Sequence, residues 1–154
     1  MNLLASKANA IVVSVEYRLA PEHHLAAAYQ DSWTALQWVA SHFDDQIKDI
    51  EIDTWLINHG DFAKFFIGGD SAGGSIVHNM LMQARNEKLH AIDGIDNSMI
   101  NPMKVGAPSL IGLPCKKLFV CCAEKDELRQ RGLQYVEAVK KSGWMGEVKL
   151  RVRF

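Results

Sequence analysis

The sequence GDSAGG at positions 69–74 constrains the fold of this chain more than any other stretch. It follows an apolar run at positions 65–67 (FFI) and precedes apolar residues at helical spacing from Ile76 to Ala84. A G-x-S-x-G sequence between a strand and a helix is typical of a nucleophile elbow, a sharp turn that lifts the serine hydroxyl above the end of a sheet. The pattern predicts Ser71 as a nucleophile. The alternative is a simple glycine-rich turn.

The residue after the serine, Ala72, falls where the helix is predicted to begin. Backbone N–H groups at the start of a helix point outward at the positive end of the helix dipole. Such a group stabilises the negative charge that develops on a carbonyl oxygen during acyl transfer. We therefore predict that the N–H of Ala72 is one donor of an oxyanion hole.

Composition excludes several classes of function. The chain has 154 residues and a net charge of −1, with 17 basic and 18 acidic residues dispersed along it. A single domain is expected at this length, and the even charge argues against a nucleic-acid or membrane-surface partner. We find no apolar run of membrane-spanning length and no secretory signal. The 3 cysteines do not suggest a disulfide framework and are expected to be small core residues, so a cytoplasmic protein is predicted.

Apolar runs and helical patterns alternate along the chain, which predicts an α/β layered fold. A helix from Ala26 carries an apolar stripe ending at Phe43, and Asp31 beside that stripe is hypothesised to pair with Arg18. Positions 90–117 contain several glycines and prolines and no strand pattern, which is unusual for an internal connection. Strands are predicted at 10–15, 65–67, 118–123 and 148–154, and helices at 26–43, from 72 to about 88, and at 127–141.

Six blocks, in order, resemble the plant carboxylesterases of the hormone-sensitive-lipase-like α/β-hydrolase family. The same branch contains the gibberellin receptors and the hydroxyisoflavanone dehydratases. The blocks are VSVEYRLAPEH at 13–23, DSWTALQWV at 31–39, GDSAGG at 69–74, INP at 100–102, AEKD at 123–126 and KSGW at 141–144. Together they extend over most of the chain.

The resemblance implies a serine hydrolase that acts on small-molecule carboxylic esters without a metal or cofactor. Ser71 would be the nucleophile and Asp126 the acid of a Ser-His-Asp triad. Asp126 follows the carboxyl end of a predicted parallel strand, the edge at which α/β sites assemble. The alternative for Asp126 is a capping residue for the helix predicted at 127–141.

The sequence departs from the family pattern in three places. No His-Gly-Gly-Gly oxyanion loop is present, no histidine follows Asp126, and the 90–117 region is shorter than in the family, where it contains a core strand. His78 is the histidine nearest to Ser71 in the sequence, but seven residues of helix separate them by roughly 10 Å, beyond proton-transfer reach. We therefore expect His78 to be a core or surface residue. The six histidines are His23, His24, His42, His59, His78 and His90.

These observations predict one incomplete α/β-hydrolase domain over residues 1–154, truncated at both ends. Its sheet should be mostly parallel and flanked by helices, with several strands lacking their family neighbours. Alternatives to an active esterase are an inactive truncated isoform or gene fragment, and a receptor-like relative without catalysis. Self-association through unpaired strand edges is a further hypothesis.

Overall fold

A computed structural model describes residues 2–43, 52–86 and 101–153. The chain divides into two compact units, Met1–Asp70 and Ser71–Phe154. The N-terminal unit contains α1 (Asn2–Ala8), α2 (Leu25–Ala40) and α3 (Thr54–His59). The C-terminal unit contains α4 (Ala72–Asn86), a 3₁₀ turn (Leu110–Gly112), β1 (Lys117–Ala123), α5 (Arg129–Lys141) and β2 (Glu147–Arg153).

Helix α2 packs through small and aromatic residues on one side. Tyr29 and Val39 of the predicted apolar stripe are buried, while Phe43 lies past the end of the helix and is 52% exposed. Ala27 and Ala28 widen the buried face because their small side chains permit a close approach to neighbouring groups. The helix predicted from Ala26 is confirmed, although its stripe is buried mainly in its first half and at Val39.

His42 connects the end of α2 to the start of α3. Its Nδ1 lies 2.7 Å from the carbonyl oxygen of Trp38, and its Nε2 accepts the backbone N–H of Asp53 at 2.8 Å. Because Nε2 is the acceptor, the hydrogen-bond network assigns the proton of the neutral ring to Nδ1. The carboxylate of Asp53 in turn accepts the N–H groups of Trp55 and Leu56 at 2.8 and 3.1 Å and caps α3.

The C-terminal unit is built on a β1–α5–β2 crossover. β1 and β2 pair in parallel over their full length, from Lys117 opposite Glu147 to Ala123 opposite Arg153. A parallel pair needs a long connection, and α5 supplies it and packs against both strands. At Gly132 of α5, the Sγ of Cys122 occupies the space that a Cβ would need. The helix therefore lies close to the sheet at this position.

Beside this crossover lies the buried core of the unit. Met82 from α4 and Val139 from α5 pack with Leu110 and Leu113 of the intervening segment. Trp144, which follows α5, packs on the same cluster and donates its indole N–H to the carbonyl of Leu113 at 3.0 Å. The core thus unites the helix after Ser71 with the crossover that contains Asp126.

Two of the four predicted strands are confirmed, and two are not part of a sheet. Within the described residues, the ladder joins β1 and β2, and positions 10–15 and 65–67 have no ladder partners. Most of their apolar side chains are exposed, with Ile11 at 37% and Phe66 at 86%. A strand needs a hydrogen-bonded neighbour, and the described residues provide none for these two segments.

Three local predictions are corrected. The continuous apolar run at 118–123 is typical of a buried strand, but β1 alternates between exposed and half-buried residues. Cys121 is exposed, whereas Cys115 and Cys122 are partly buried, so the cysteines are not uniformly core residues. Helices α1 and α3 form where the sequence indicated no helix. The end of the helix predicted to Lys88, His90 and the start of the INP block lie outside the described residues.

Candidate active site

Ser71 lies directly before α4 in a strained backbone conformation. Its φ is +52°, in the left-handed region that residues with a Cβ rarely adopt. The side chain is exposed, and the carbonyl oxygen accepts the N–H of Gly74 at 3.0 Å. A sharp, positive-φ turn that leads into a helix presents the serine hydroxyl to solvent, as expected for an elbow. The strand that the hypothesis places before the turn, at 65–67, is not formed.

Ala72 is the first residue of α4 and is exposed. The N–H groups of the first turn have no acceptor four residues earlier in the helix. They carry the positive end of the helix dipole. Together, Ser71 and Ala72 place a hydroxyl next to a backbone donor that can bind a negatively charged oxygen.

Asp126 lies in the turn that connects β1 to α5. Its Oδ1 accepts the backbone N–H of Leu128 at 2.9 Å, and its carbonyl oxygen accepts the N–H of Arg129 at 3.0 Å. Its own N–H donates to the carbonyl of Ala123 at 3.3 Å. This geometry is an Asx turn that precedes α5: the N-cap of the helix is Leu128, which has no side-chain cap, so the capping alternative is not realised at Asp126. The turn uses one carboxylate oxygen, and the second can still accept a proton-bearing imidazole.

His78 is a core residue. It is 7% exposed, and its Nδ1 lies 2.9 Å from the hydroxyl oxygen of Tyr135 on α5. Burial lowers the pKa of His78 to about 4 and raises that of Tyr135 to about 12, so both groups are neutral near pH 7. The pairing was not foreseen from the sequence. The signal that could have revealed it was a tyrosine on the apolar side of α5, since a buried phenol needs a hydrogen-bond partner.

The other histidines that the structure describes lie in the N-terminal unit. His42 bridges α2 and α3, and the Nδ1 of His59 lies 2.8 Å from the carbonyl of Trp55. His23 and His24 are exposed just before α2, and His90 lies outside the described residues. Within the C-terminal unit, the described histidine, His78, is bonded to Tyr135 and not to Ser71 or Asp126. The described part of this unit therefore does not assemble a triad from its own side chains.

Arg18 and Asp31 confirm the ion pair hypothesised from the sequence. The guanidinium donates to both carboxylate oxygens, with Nη2 at 2.7 Å from Oδ1 and Nε at 2.9 Å from Oδ2. The backbone N–H of Arg18 adds a further bond to Oδ2 at 2.9 Å. Hydrogen bonding from the Arg18 side chain is the main cause that lowers the pKa of Asp31 to about 2. The pair fastens the segment before α2 to the helix itself.

An open cleft of about 430 Å³ lies along α5. It is lined by Asn101, Met103, Gln134, Glu137, Ala138 and Lys141. Neither Ser71 nor Asp126 contributes to its lining, so the cleft does not provide the candidate nucleophile with a substrate pocket. In the described parts of the chain, no cluster of three or more His, Cys, Asp or Glu residues is arranged to hold a metal ion. Across the same ranges, none of the helices combines the length and apolarity needed to cross a bilayer.

Comparison with known proteins places these features in a family. The alpha/beta hydrolase fold profile matches residues 1–107, and the chain belongs to this family. It is 43% identical over 194 aligned positions to 2-hydroxyisoflavanone dehydratase of Glycyrrhiza echinata, an alignment that covers 97% of this chain and 59% of that protein. Hydrolase 3 of Catharanthus roseus is 42% identical over 188 positions, covering 93% of this chain and 58% of that protein.

A third relative is Tuliposide A-converting enzyme 1, chloroplastic, of Tulipa gesneriana, at 36% identity over 187 positions. That alignment covers 97% of this chain and 48% of the tulip protein. The family predicted from the sequence blocks is therefore confirmed. The chain spans between about half and three fifths of the length of these relatives.

Proposed function

We propose that this chain is part of a carboxylesterase-type serine hydrolase in which Ser71 is the nucleophile and Asp126 the triad acid. The observation that carries the proposal is the positive φ of Ser71 at the start of α4. A backbone strained at a serine, immediately before a helix N-terminus, is the arrangement that acyl-transfer chemistry uses. The confirmed family supports it.

In the proposed reaction, the Oγ of Ser71 attacks the ester carbonyl carbon while an imidazole removes its proton. The carbonyl oxygen becomes negatively charged and is stabilised by the N–H of Ala72. The C–O bond to the alcohol then breaks, and the imidazolium returns the proton to the leaving oxygen. Water hydrolyses the resulting acyl-serine by the same route. Asp126 would orient the imidazole through the carboxylate oxygen that does not accept the N–H of Leu128.

The reaction requires a base, and the described histidines of the C-terminal unit do not supply it. His78 is buried and bonded to Tyr135. This observation favours a second candidate function, a non-catalytic relative that retains the scaffold. The alignment with the Glycyrrhiza protein agrees with it, because its 194 positions exceed the 154 residues of this chain by 40. At least that many positions of the alignment have no counterpart here.

The relatives do not restrict the substrate beyond its class. Their names describe a dehydratase, a hydrolase and a tuliposide-converting enzyme. We propose a small-molecule carboxylic ester as the substrate because the candidate residues suit acyl transfer. A cytoplasmic location remains our prediction, and one relative carries the description chloroplastic.

Labelling with a fluorophosphonate tests the proposal, because this probe reacts with activated serines. We expect the wild-type chain to be labelled and Ser71→Ala to remain unlabelled. Ser75→Ala is the matched control, since this second serine lies one turn further along α4 and is half-buried. A wild-type chain that is folded by circular dichroism but takes up no label would contradict the esterase proposal and favour the non-catalytic alternative.

A further inference from the structure

The hydrogen bond between His78 and Tyr135 connects the two helices that follow the candidate catalytic residues. Helix α4 begins immediately after Ser71, and α5 begins three residues after Asp126. The Nδ1 of His78 and the hydroxyl oxygen of Tyr135 are 2.9 Å apart, and their rings meet edge to face with centroids at 5.4 Å. The contact therefore fixes both a distance and an orientation between α4 and α5.

Because His78 lies on the helix that follows Ser71, its contact with Tyr135 affects the orientation of Ser71. Ala72 begins α4, and His78 lies six residues further along the same helix, roughly 9 Å along its axis at about 1.5 Å per residue. A rotation of α4 that moved His78 away from Tyr135 would turn the start of the helix by the same angle. The N–H of Ala72 and the hydroxyl of Ser71 would rotate with it.

We propose that His78 and Tyr135 are positioning residues: their part-buried hydrogen bond sets the rotation of α4 against α5, and with it the direction in which Ser71 and the N–H of Ala72 point. This inference rests on the proposed function of Ser71. Oxyanion donors act only within a narrow distance range, about 2.7–3.1 Å, so a small rotation at the start of α4 weakens them.

The environment of the pair makes the contact specific. Core side chains of α4 such as Met80 and Met82 pack without directional preference, whereas a hydrogen bond is satisfied in one arrangement. His78 is buried and Tyr135 is partly buried, so rotation would take the buried imidazole away from its hydrogen-bond partner. Helix α4 therefore has one favoured rotation instead of several similar ones.

The test compares three variants by the rate of fluorophosphonate labelling of Ser71. Tyr135→Phe removes one hydroxyl and retains the ring, and we expect labelling to slow about tenfold, the effect of losing one oriented hydrogen bond. His78→Asn keeps a polar group near the position of Nδ1 and should label faster than His78→Leu. Val139→Ala is the control because it removes fully buried atoms from the core against which Tyr135 packs but leaves the imidazole of His78 and the hydroxyl of Tyr135 in place.

All variants are compared under conditions in which each is folded, so a loss of stability alone does not alter the labelling rate. A Tyr135→Phe chain that labels at the wild-type rate, or a Val139→Ala chain that slows equally, would overturn the proposal. Amide hydrogen exchange at Ala72, Gly73 and Gly74 gives a second measurement that needs no reactive serine. Exchange there should increase about tenfold in Tyr135→Phe and remain unchanged in Val139→Ala.

These measurements separate the two proposals. If the wild-type chain takes up no label, the esterase proposal fails, while the exchange comparison still decides whether the pair positions α4. If the wild-type chain is labelled and neither measurement responds to Tyr135→Phe, the positioning proposal fails and Ser71 remains the candidate nucleophile.

Discussion

The guanidinium of Arg18 binds the carboxylate of Asp31 through Nε and Nη2, while the backbone N–H of Arg18 binds the same carboxylate. A single side chain on α2 thereby fixes both the backbone and the side chain of a residue in the preceding segment. Bidentate geometry with an added backbone bond is stronger than a typical surface ion pair, whose side chains pair without such constraint.

Asp31→Asn should therefore lower the melting temperature at neutral pH by a few degrees. Asp61→Asn is the matched control: its exposed partner Lys64 lies 2.9 Å away on a neighbouring turn, and we expect almost no change. The folded-state pKa of Asp31 is lowered to about 2, so its stabilisation is present above its ordinary pKa and is lost as the pH falls from about 4 to about 2. If Asp31→Asn and Asp61→Asn lower the melting temperature equally, the pair of Arg18 and Asp31 is no stronger than an ordinary surface ion pair.

Ser71→Gly should stabilise the chain while abolishing labelling. Glycine adopts positive φ without steric cost, so relief of strain is expected to raise the free energy of unfolding by about 1 kcal/mol, offset in part by the flexibility of glycine in the unfolded chain. Ser71→Ala should also prevent labelling but gain no stability, since alanine keeps the Cβ. Urea unfolding measures the stability of the two variants. If the two variants are equally stable, the backbone at Ser71 is not strained.

Two substitutions at Asp126 distinguish a catalytic acid from a residue of the turn before α5. Asp126→Asn retains an acceptor for the N–H of Leu128, so stability should hardly change. Asp126→Ala removes the acceptor and should cost about 1 kcal/mol. If the carboxylate orients a base, both variants should slow fluorophosphonate labelling at least 100-fold. Normal labelling of the stable Asp126→Asn chain would leave this residue with its role in the turn alone.

Acid should destabilise the C-terminal unit through His78. Its folded-state pKa of about 4 lies below the ordinary value near 6.5, so the unfolded state binds more protons between these values. The stabilisation is complete above about pH 6.5 and is lost as the pH falls toward 4, with an upper limit on the order of 3 kcal/mol. Urea midpoints across this range should fall in the wild type and stay flatter in His78→Leu. If the urea midpoints of the wild type and His78→Leu fall in parallel with pH, His78 is not the group that causes the acid sensitivity.

Much of the chain could be predicted from local patterns. The apolar periodicity of α2, α4 and α5 predicted those helices, and the runs before Asp126 and at the C-terminal end predicted β1 and β2. The ion pair between Arg18 and Asp31 followed from a charged residue beside the stripe of α2. These features depend on residues that are close in sequence or on one crossover, so local rules suffice.

The errors occurred where distant partners decide the outcome. Positions 10–15 and 65–67 have the β-branched and aromatic residues of strands, but a strand also needs a neighbour. Cys121 is exposed because α5 covers the opposite face of β1. The bond between His78 and Tyr135 joins residues 57 positions apart. The sequence left His78 as either a core or a surface residue and gave no indication that it meets Tyr135.

Because Gly132 lies close to the sulfur of Cys122, the size of the residue at one of these positions limits the size of the residue at the other. A side chain at 132 would fill the volume that the thiol occupies, so an alanine there requires a smaller residue at 122, such as glycine, or a displaced helix. Alkylation of Cys122 would have the same steric effect from the opposite side. The exposed Cys121 can accept a reagent without disturbing α5, so neighbouring thiols on one strand should differ in how much adduct bulk the fold tolerates.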